Sequence, residues 1–244
     1  MRTLPILYQD DHLVAINKPA GLLVHKSSID RREKEFAMQI LRDQLGRWVY
    51  PTHRLDKATS GVLLFALDNE TARSMMRLFV EGGISKTYLA VVRGFTQETE
   101  LIDHPLKDEW DDRLDPRTDR DKAARDARTE YRRLATVELP FPVGRYETAR
   151  YSLISVEPRT GRTHQIRRHM KHIFHPVIGD TTWGDGKQNE FFRETYNCRR
   201  MLLHCRVMSF PHPVTGATIT IPAGLDGEFT TVLQAIGWGE VQPA

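Results

Sequence analysis

The sequence has few cysteines, no long apolar run and little excess of either charge. Only two cysteines occur, Cys198 and Cys205, and neither has the spacing of a metal finger, so we interpret both as reduced thiols. No apolar stretch approaches the roughly 18 residues that span a membrane, and the first residues lack the apolar segment of a secretory signal. These absences predict a cytoplasmic protein that makes no use of a membrane.

The net charge of +3 over 244 residues is weak support for a polyanionic partner. The local distribution is more informative, because one predicted helix, with Thr163 as its N-cap, carries a run of cations. Its basic side chains and those just before it are Arg159, Arg162, Arg167, Arg168 and Lys171. Such a strip suits phosphate contacts, although most charged helix faces are only solvated.

Hydrophobic periodicity predicts an α+β fold with many strands and few helices. Strands are predicted at 4–9 and 12–17 as a hairpin, and at 62–67, 86–94, 129–138, 151–157, 201–210 and 217–221. Helices are predicted from a capping-box spacing at Asp30 to Leu45, from an Asn69 cap with Met75, Met76, Phe79 and Val80 facing inward, from Thr163, and from an Asp226 cap to Ile236. The charged segment 107–128 is predicted to be a solvated, mobile excursion. The glycine-containing segment 175–197 is predicted to be a loop with possible short elements and a second mobile region.

The most informative stretch is 53–61, His-Arg-Leu-Asp-Lys-Ala-Thr-Ser-Gly, which directly precedes the apolar run 62–67. It predicts a loop that presents polar groups at the mouth of a strand buried on both faces. Asp56 is its only carboxylate, with Arg54 two residues away. An aspartate held by a guanidinium stays ionised and suits a nucleophile, but a structural ion pair is an equally good interpretation.

Other chemistries fit the sequence less well. His53 could act as a base, but no serine or cysteine beside it has the sequence context of a nucleophile, which argues against a hydrolase triad. Glycoside hydrolysis needs two carboxylates close together, and the stretch 53–61 contains only Asp56. The histidines at 164, 169, 172 and 175 lack a carboxylate or thiolate in register, so we interpret them as surface histidines and predict no metal. Tyr88 is either an interior tyrosine or a platform for a nucleobase.

Five ordered blocks together resemble the RluA-type pseudouridine synthase family. They are His53-Arg54-Leu55-Asp56 with Thr59-Ser60-Gly61, then Asn17-Lys18-Pro19-Ala20-Gly21, Lys86-Thr87-Tyr88, Thr160-Gly161-Arg162-Thr163-His164-Gln165-Ile166-Arg167, and Leu202-Leu203-His204. The resemblance spans nearly the whole chain. Cys205 stands where alanine is common in the family, a small-for-small exchange that we expect to leave the chemistry unchanged.

The resemblance implies one catalytic domain over 1–244, with a mixed, mostly antiparallel central sheet, flanking helices, an RNA-binding cleft and no separate N-terminal RNA-binding domain. It implies a monomer that needs no cofactor. Asp56 would attack the ribose carbon or otherwise start glycosidic cleavage, Arg167 would hold that aspartate, and Tyr88 would stack on the uracil and assist removal of its carbon 5 proton. Arg54 would fill the space that the flipped nucleotide leaves. The implied RNA-binding residues are His53, Arg54, Thr59, Leu203, Arg162, Arg168 and Lys171.

The resemblance is strongest to members of the family that modify tRNA, and it implies uridine 65 as the target. The segments that favour tRNA are Asp30-Arg31, Glu33-Lys34, Gly144-Arg145-Tyr146, Arg167-Arg168-His169 and Gly237-Trp238. Ribosomal RNA is the alternative substrate. A non-catalytic RNA-binding module is the alternative of a different class.

Overall fold

The fold is described from a computed structural model that covers residues 2–26, 34–107 and 123–241. Ten strands in these ranges are β1 Ile6–Gln9, β2 Leu13–Lys18, β3 Tyr50–Pro51, β4 Ser60–Ala66, β5 Ser85–Arg93, β6 Thr99–Asp103, β7 Arg128–Leu139, β8 Ala149–Pro158, β9 Leu203–Pro211 and β10 Thr218–Pro222. Five helices are α1 Ala37–Leu45, α2 Asn69–Glu81, α3 Gln165–His172, α4 Gly186–Tyr196 and α5 Gly227–Ala235. None of the helices in these ranges is long and apolar enough to cross a membrane.

The ten strands form one mixed sheet in the order β1-β2-β4-β9-β5-β8-β7-β6, with β10 added to β9 and β3 to β4. All pairs are antiparallel except β4 with β9, which run parallel through Ser60 opposite His204 and Gly61 opposite Cys205. This short parallel contact joins the two halves of the sheet. The prediction of an α+β fold with a mixed, mostly antiparallel sheet is confirmed.

Apolar side chains on both faces of the sheet make two core clusters. All seven residues of β4 are buried, as predicted for a strand covered on both faces. One cluster packs α1, α2 and α3 against β2 and β4, and the other packs α4 and α5 against β5 and β8. The loop before β4 is therefore attached to the most deeply buried strand.

The second helix differs from the prediction at its start and in its buried face. Its N-cap is Asp68, one residue earlier than predicted, whose carboxylate accepts a 2.7 Å hydrogen bond from the backbone N–H of Thr71. Met75 is buried, whereas Met76 and Val80 are 54% and 88% exposed, so their predicted inward orientation is wrong. Successive helical residues are about 100° apart, and only one narrow face of α2 reaches the sheet.

Two other helices were also predicted imperfectly. The N-cap of α3 is His164, in a left-handed conformation without a side-chain cap, and not Thr163. The Gln165 side chain instead closes the preceding turn by accepting from the backbone N–H of Arg162 and the hydroxyl of Thr160. The segment 175–197, predicted to be a loop with possible short elements, contains the 11-residue helix α4, which Asp185 caps through the backbone N–H groups of Lys187 and Gln188.

Some predicted features fall outside the described ranges, and two strands were missed. The predicted Asp30 cap lies outside the described residues, and α1 begins at Ala37 after Phe36. Most of the charged segment 107–128 also lies outside them. The short strands β3 and β6 were not predicted, whereas the β9–β10 hairpin, the Gly82 end of α2 and the Asp226 cap of α5 are confirmed.

Candidate active site

The loop that carries Asp56 is fixed to the sheet at Gly61. This glycine has φ +109°, and a Cβ added to it would lie 2.2 Å from the carbonyl oxygen of Cys205 on β9. Only glycine permits this backbone approach. The parallel contact between β4 and β9 therefore sets the position of the loop that enters β4.

Lys18 holds the same loop through hydrogen bonds to backbone carbonyls. Its side chain is fully buried, and its ammonium donates to the carbonyls of Pro19, Leu22 and Lys57 at 2.9, 2.7 and 3.2 Å. Burial lowers the pKa of Lys18 to about 7, against the opposing effect of the nearby Asp56 charge. Because Lys57 follows Asp56 directly, these bonds restrain the backbone next to the carboxylate.

Arg167 links two carboxylates. Its Nη1 donates to Oδ2 of Asp56 at 3.0 Å, while its Nε and Nη2 donate to the two carboxylate oxygens of Asp180 at 2.6 and 2.8 Å. Burial favours the neutral guanidine, but the hydrogen bonds and charges of both aspartates outweigh it and raise the pKa of Arg167. The guanidinium is a fixed positive group that orients the Asp56 carboxylate.

Asp180 is a site residue that the sequence did not reveal. It is fully buried and also accepts hydrogen bonds from the backbone N–H groups of Thr182 and Trp183. Burial raises the pKa of such a carboxyl, but the bonds from Arg167 and these amides reverse the effect and lower the pKa of Asp180. Its only sequence signal is a glycine before it and two threonines after it, a turn-like context shared by many aspartates.

A cavity of about 120 Å³ opens beside the Asp56–Arg167 pair. Its walls include Asp56, Tyr88 and Arg167, which come from the loop before β4, from β5 and from α3. Burial raises the pKa of Tyr88, whose hydroxyl lies in hydrogen-bonding reach of the Cys205 thiol. The neutral ring therefore forms part of the cavity wall, and the Cys205 substitution lies directly beside it.

Six of the seven predicted RNA-binding residues fall into two groups. Four of them line the cavity: Arg54, Thr59, Arg162 and Leu203. Arg168 and Lys171 lie on α3 outside it, where their cationic groups are 5.6 and 5.2 Å from the ring centroid of Trp183. Arg168 and Lys171 therefore form an outer basic surface beside the Trp183 ring, whereas Arg162 and Arg167 of the predicted basic strip line the cavity itself.

His53 has a different position from its neighbours. Its Nε2 accepts a 3.1 Å hydrogen bond from the backbone N–H of Leu64, and its ring packs 4.9 Å from that of Phe79. Burial, reinforced by the charge of Lys86, lowers the pKa of His53 to about 3. The structure uses this histidine, which is not among the cavity-lining residues, as a neutral support of β4.

A second unpredicted group is the network around Ser60. The Ser60 Oγ donates to Nδ1 of His204 at 2.7 Å and accepts from Nη2 of Arg200 at 2.7 Å, while Nε2 of His204 donates to the carbonyl of Ala223. Burial lowers the pKa of His204 to about 4, so its ring is neutral. Arg200 also pairs with Asp226, the cap of α5, and thereby connects the start of β4 to α5.

The histidines around α3 are dispersed. His164 Nε2 lies 3.7 Å from Oδ1 of Asp56, whereas His169 is fully buried between Thr129 and the carbonyl of His104, contrary to its predicted place on the surface. His172 stacks on the His104 ring, and His175 contacts the Arg93 carbonyl. Within the ranges described, no three metal-ligating side chains come together.

Comparison with known proteins identifies the family. The sequence signature of the family described as "RNA pseudouridylate synthase" matches residues 12–172, which include Asp56, Tyr88 and Arg167. The tRNA pseudouridine synthase C of Vibrio cholerae is 50% identical over 237 residues, covering 97% of both chains. The protein of the same name from Haemophilus influenzae is 51% identical over 238 residues, covering 98% of this chain and all of the relative.

Solved structures share the fold. Human RNA pseudouridylate synthase domain containing 4 superposes with a TM-score of 0.71 at 24% identity, covering 95% of this chain and 92% of the other. Human RNA pseudouridylate synthase domain containing 1 gives 0.68 at 24% identity, covering 96% and 94%. The sequence matches decide membership, and the superpositions agree with it at the level of architecture. The chain belongs to the RNA pseudouridylate synthase family.

Proposed function

We propose that this chain converts a uridine of tRNA to pseudouridine, with uridine 65 as the target. The observation that carries the proposal is the Asp56–Arg167 ion pair at 3.0 Å, in a cavity that Tyr88 also lines. The substrate class is supported by relatives of about 50% identity that are named tRNA pseudouridine synthase C.

The reaction begins with a uridine extruded from its stack, because the glycosidic bond is out of reach in a helix. Asp56, oriented by Arg167, starts cleavage of the bond between ribose C1′ and uracil N1, either by attack on C1′ or by stabilising the sugar cation that cleavage creates. The detached uracil rotates and a bond forms between C5 and C1′, which on the attack route breaks the bond between C1′ and the Asp56 carboxylate. C5 then loses its proton and N1 gains one. Reactant and product are isomers, so the net reaction consumes nothing.

RNA binding falls to residues around the cavity mouth. Arg54 is exposed and lines the cavity, which supports the proposal that it enters the space left by the flipped nucleotide. Thr59, Arg162 and Leu203 line the interior, where the base is enclosed. Arg168 and Lys171 extend the positive surface along α3, where phosphates of the RNA are held.

The test uses the whole chain with a transcript of tRNA that contains uridine 65 and with a transcript in which that uridine is replaced by cytidine. Carbodiimide-dependent primer extension should give a new stop for the first transcript only. Asp56→Asn should abolish the stop while tRNA affinity is kept, and Asp103→Asn, on the exposed side of β6, should leave it intact.

Three outcomes would contradict the proposal. A stop at another tRNA position would refute uridine 65, and a stop found only in ribosomal RNA fragments would refute tRNA as the substrate. Full biological function of Asp56→Asn would point to a binding module without catalysis.

The proposal extends to the state of the enzyme. We infer a cytoplasmic monomer that works without a cofactor, in keeping with the free, buried thiols of Cys198 and Cys205. Size-exclusion chromatography with light scattering, and activity after exhaustive chelation, test the last two points. A dimeric mass, or loss of the primer-extension stop on chelation, would refute them.

A further inference from the structure

Lys86 brings a positive charge into the cavity from β5, two residues before Tyr88. It lines the same cavity as Asp56, Tyr88 and Arg167. The side chain is partly buried, and this burial lowers the pKa of Lys86, while the Cys205 side chain has the opposite effect. A partly desolvated cation therefore faces the space assigned to the target base.

The Lys86 ammonium has little to bind within the protein. Its nitrogen lies 5.7 Å from the ring centroid of Phe79. Over residues 2–26, 34–107 and 123–241, no carboxylate forms an ion pair with it and no oxygen accepts a hydrogen bond from it. Desolvating a lysine without an acceptor costs free energy, so an acceptor supplied by a ligand would make this position favourable.

The other cationic side chains that line the cavity are either hydrogen-bonded within the protein or exposed to solvent. Arg167 is held by Asp56 and Asp180, and Arg162 donates through Nε to the carbonyl of Asp126. Arg54 lies exposed at the rim. Of the cavity-lining lysines and arginines, Lys86 is the one that is both partly buried and without such a partner.

The proposed reaction would provide a hydrogen-bond acceptor for the Lys86 ammonium. When the C1′–N1 bond breaks, its electron pair leaves with the uracil, and the resulting negative charge is shared with the carbonyl oxygens of the ring. The charge is consumed when C5 uses an electron pair of the ring to bond to C1′, and the later loss of the C5 proton is balanced by the proton that N1 gains. We propose that Lys86 donates a hydrogen bond to a carbonyl oxygen of the target uracil and stabilises the negative charge of the base while it is detached. This inference rests on the proposed function.

Single-turnover kinetics with saturating enzyme test this role, because they report the chemical step apart from RNA binding. Lys86→Met keeps the length and apolar stem of the side chain, and we expect the rate to fall about 100-fold, as when one donor to a developing anion is removed. Lys86→Arg, which keeps the charge, should recover at least about a tenth of the wild-type rate. The dissociation constant for tRNA should change less than about threefold in both variants.

Lys187→Met is the matched control, because this exposed lysine on α4 lies outside the cavity. Thermal unfolding of each variant verifies folding, and Lys86→Gln replaces Lys86→Met if the latter does not fold. A Lys86→Met rate within about threefold of wild type would overturn the inference, as would a loss confined to tRNA affinity, which would assign Lys86 to a phosphate. If the wild-type enzyme forms no pseudouridine, the proposed function itself fails, so the two failures are distinguishable.

Discussion

Arg167 and Asp180 form a two-point ion pair in the protein interior, with N–O distances of 2.6 and 2.8 Å. Both groups are almost completely withdrawn from solvent. Asp180 thereby fixes the plane of the guanidinium, and the remaining Nη1 reaches Asp56 in one orientation. The position of the proposed nucleophile thus depends on a carboxylate that does not itself line the cavity.

Asp180→Asn should impair both stability and turnover. Removing one charge of a buried pair leaves the other partly uncompensated, and we expect the free energy of unfolding to fall by about 3 kcal/mol. The single-turnover rate should also fall, because Arg167 loses its fixed orientation, while tRNA affinity is kept. Urea unfolding and single-turnover assays measure the two effects, with Asp103→Asn as the control. Unchanged stability and rate together would show that Asp180 does not position Arg167.

Gly61→Ala should distort the loop that carries Asp56. The added Cβ would collide with the Cys205 carbonyl at 2.2 Å, so β4 and β9 must separate. We expect a loss of about 3 kcal/mol of stability and a large loss of turnover. Gly216→Ala is the control: its φ is also positive, at +72°, but nothing lies within 4 Å of the added atom, so about 1 kcal/mol should be lost and turnover kept. Equal effects in the two variants on urea unfolding and activity would refute the steric argument.

Lys171→Gln should weaken tRNA binding without slowing the chemical step. Lys171 is exposed on α3 beside Trp183. If it neutralises one phosphate, the slope of log affinity against log salt concentration should become shallower by about 1. Filter binding across a salt series gives the slope, and single-turnover kinetics at saturating enzyme give the rate. An unchanged slope would remove Lys171 from the RNA-binding surface.

His204 should make the folded state sensitive to acid. Its pKa is about 4 in the folded protein against an ordinary value of 6.5, so between these values the unfolded chain binds a proton that the folded protein does not. Its contribution is complete above pH 6.5 and declines as the pH falls toward 4, by about 2 kcal/mol at pH 5.

Urea unfolding at pH 7 and pH 5 should therefore show a smaller loss in His204→Asn than in wild type. Part of the acid sensitivity should remain in the variant, because burial also lowers the pKa of His53, to about 3. Identical pH dependence in the two proteins would mean that His204 is not buried as a neutral ring.

Local patterns predicted the elements whose signals lie close together in the sequence. The alternation in β9 and β10 around a turn, the Asp226 cap and the Gly82 end of α2 depend on neighbours a few residues apart. Predictions failed where packing between elements distant in sequence determined which residues are buried and where a helix forms. Met76 and Val80 are exposed because only one face of α2 contacts the sheet, and α4 forms in a glycine-containing segment that packs Phe192 into the core.

The sequence by itself determined the family, the α+β architecture and the loop of Asp56 before a buried strand, because these reside in contiguous motifs. The family resemblance also implied that Arg167 holds Asp56, and only the tertiary structure decided the geometry of that contact and the other side-chain contacts around it. Arg167 and Asp56 are 111 residues apart, and Ser60 and His204 are 144 apart. Contacts at such separations are set by the β4–β9 register and by the packing of α3 on the sheet, and no local pattern encodes them. For that reason the contact of Asp180 with Arg167 and the place of Lys86 in the cavity wall emerged from the fold.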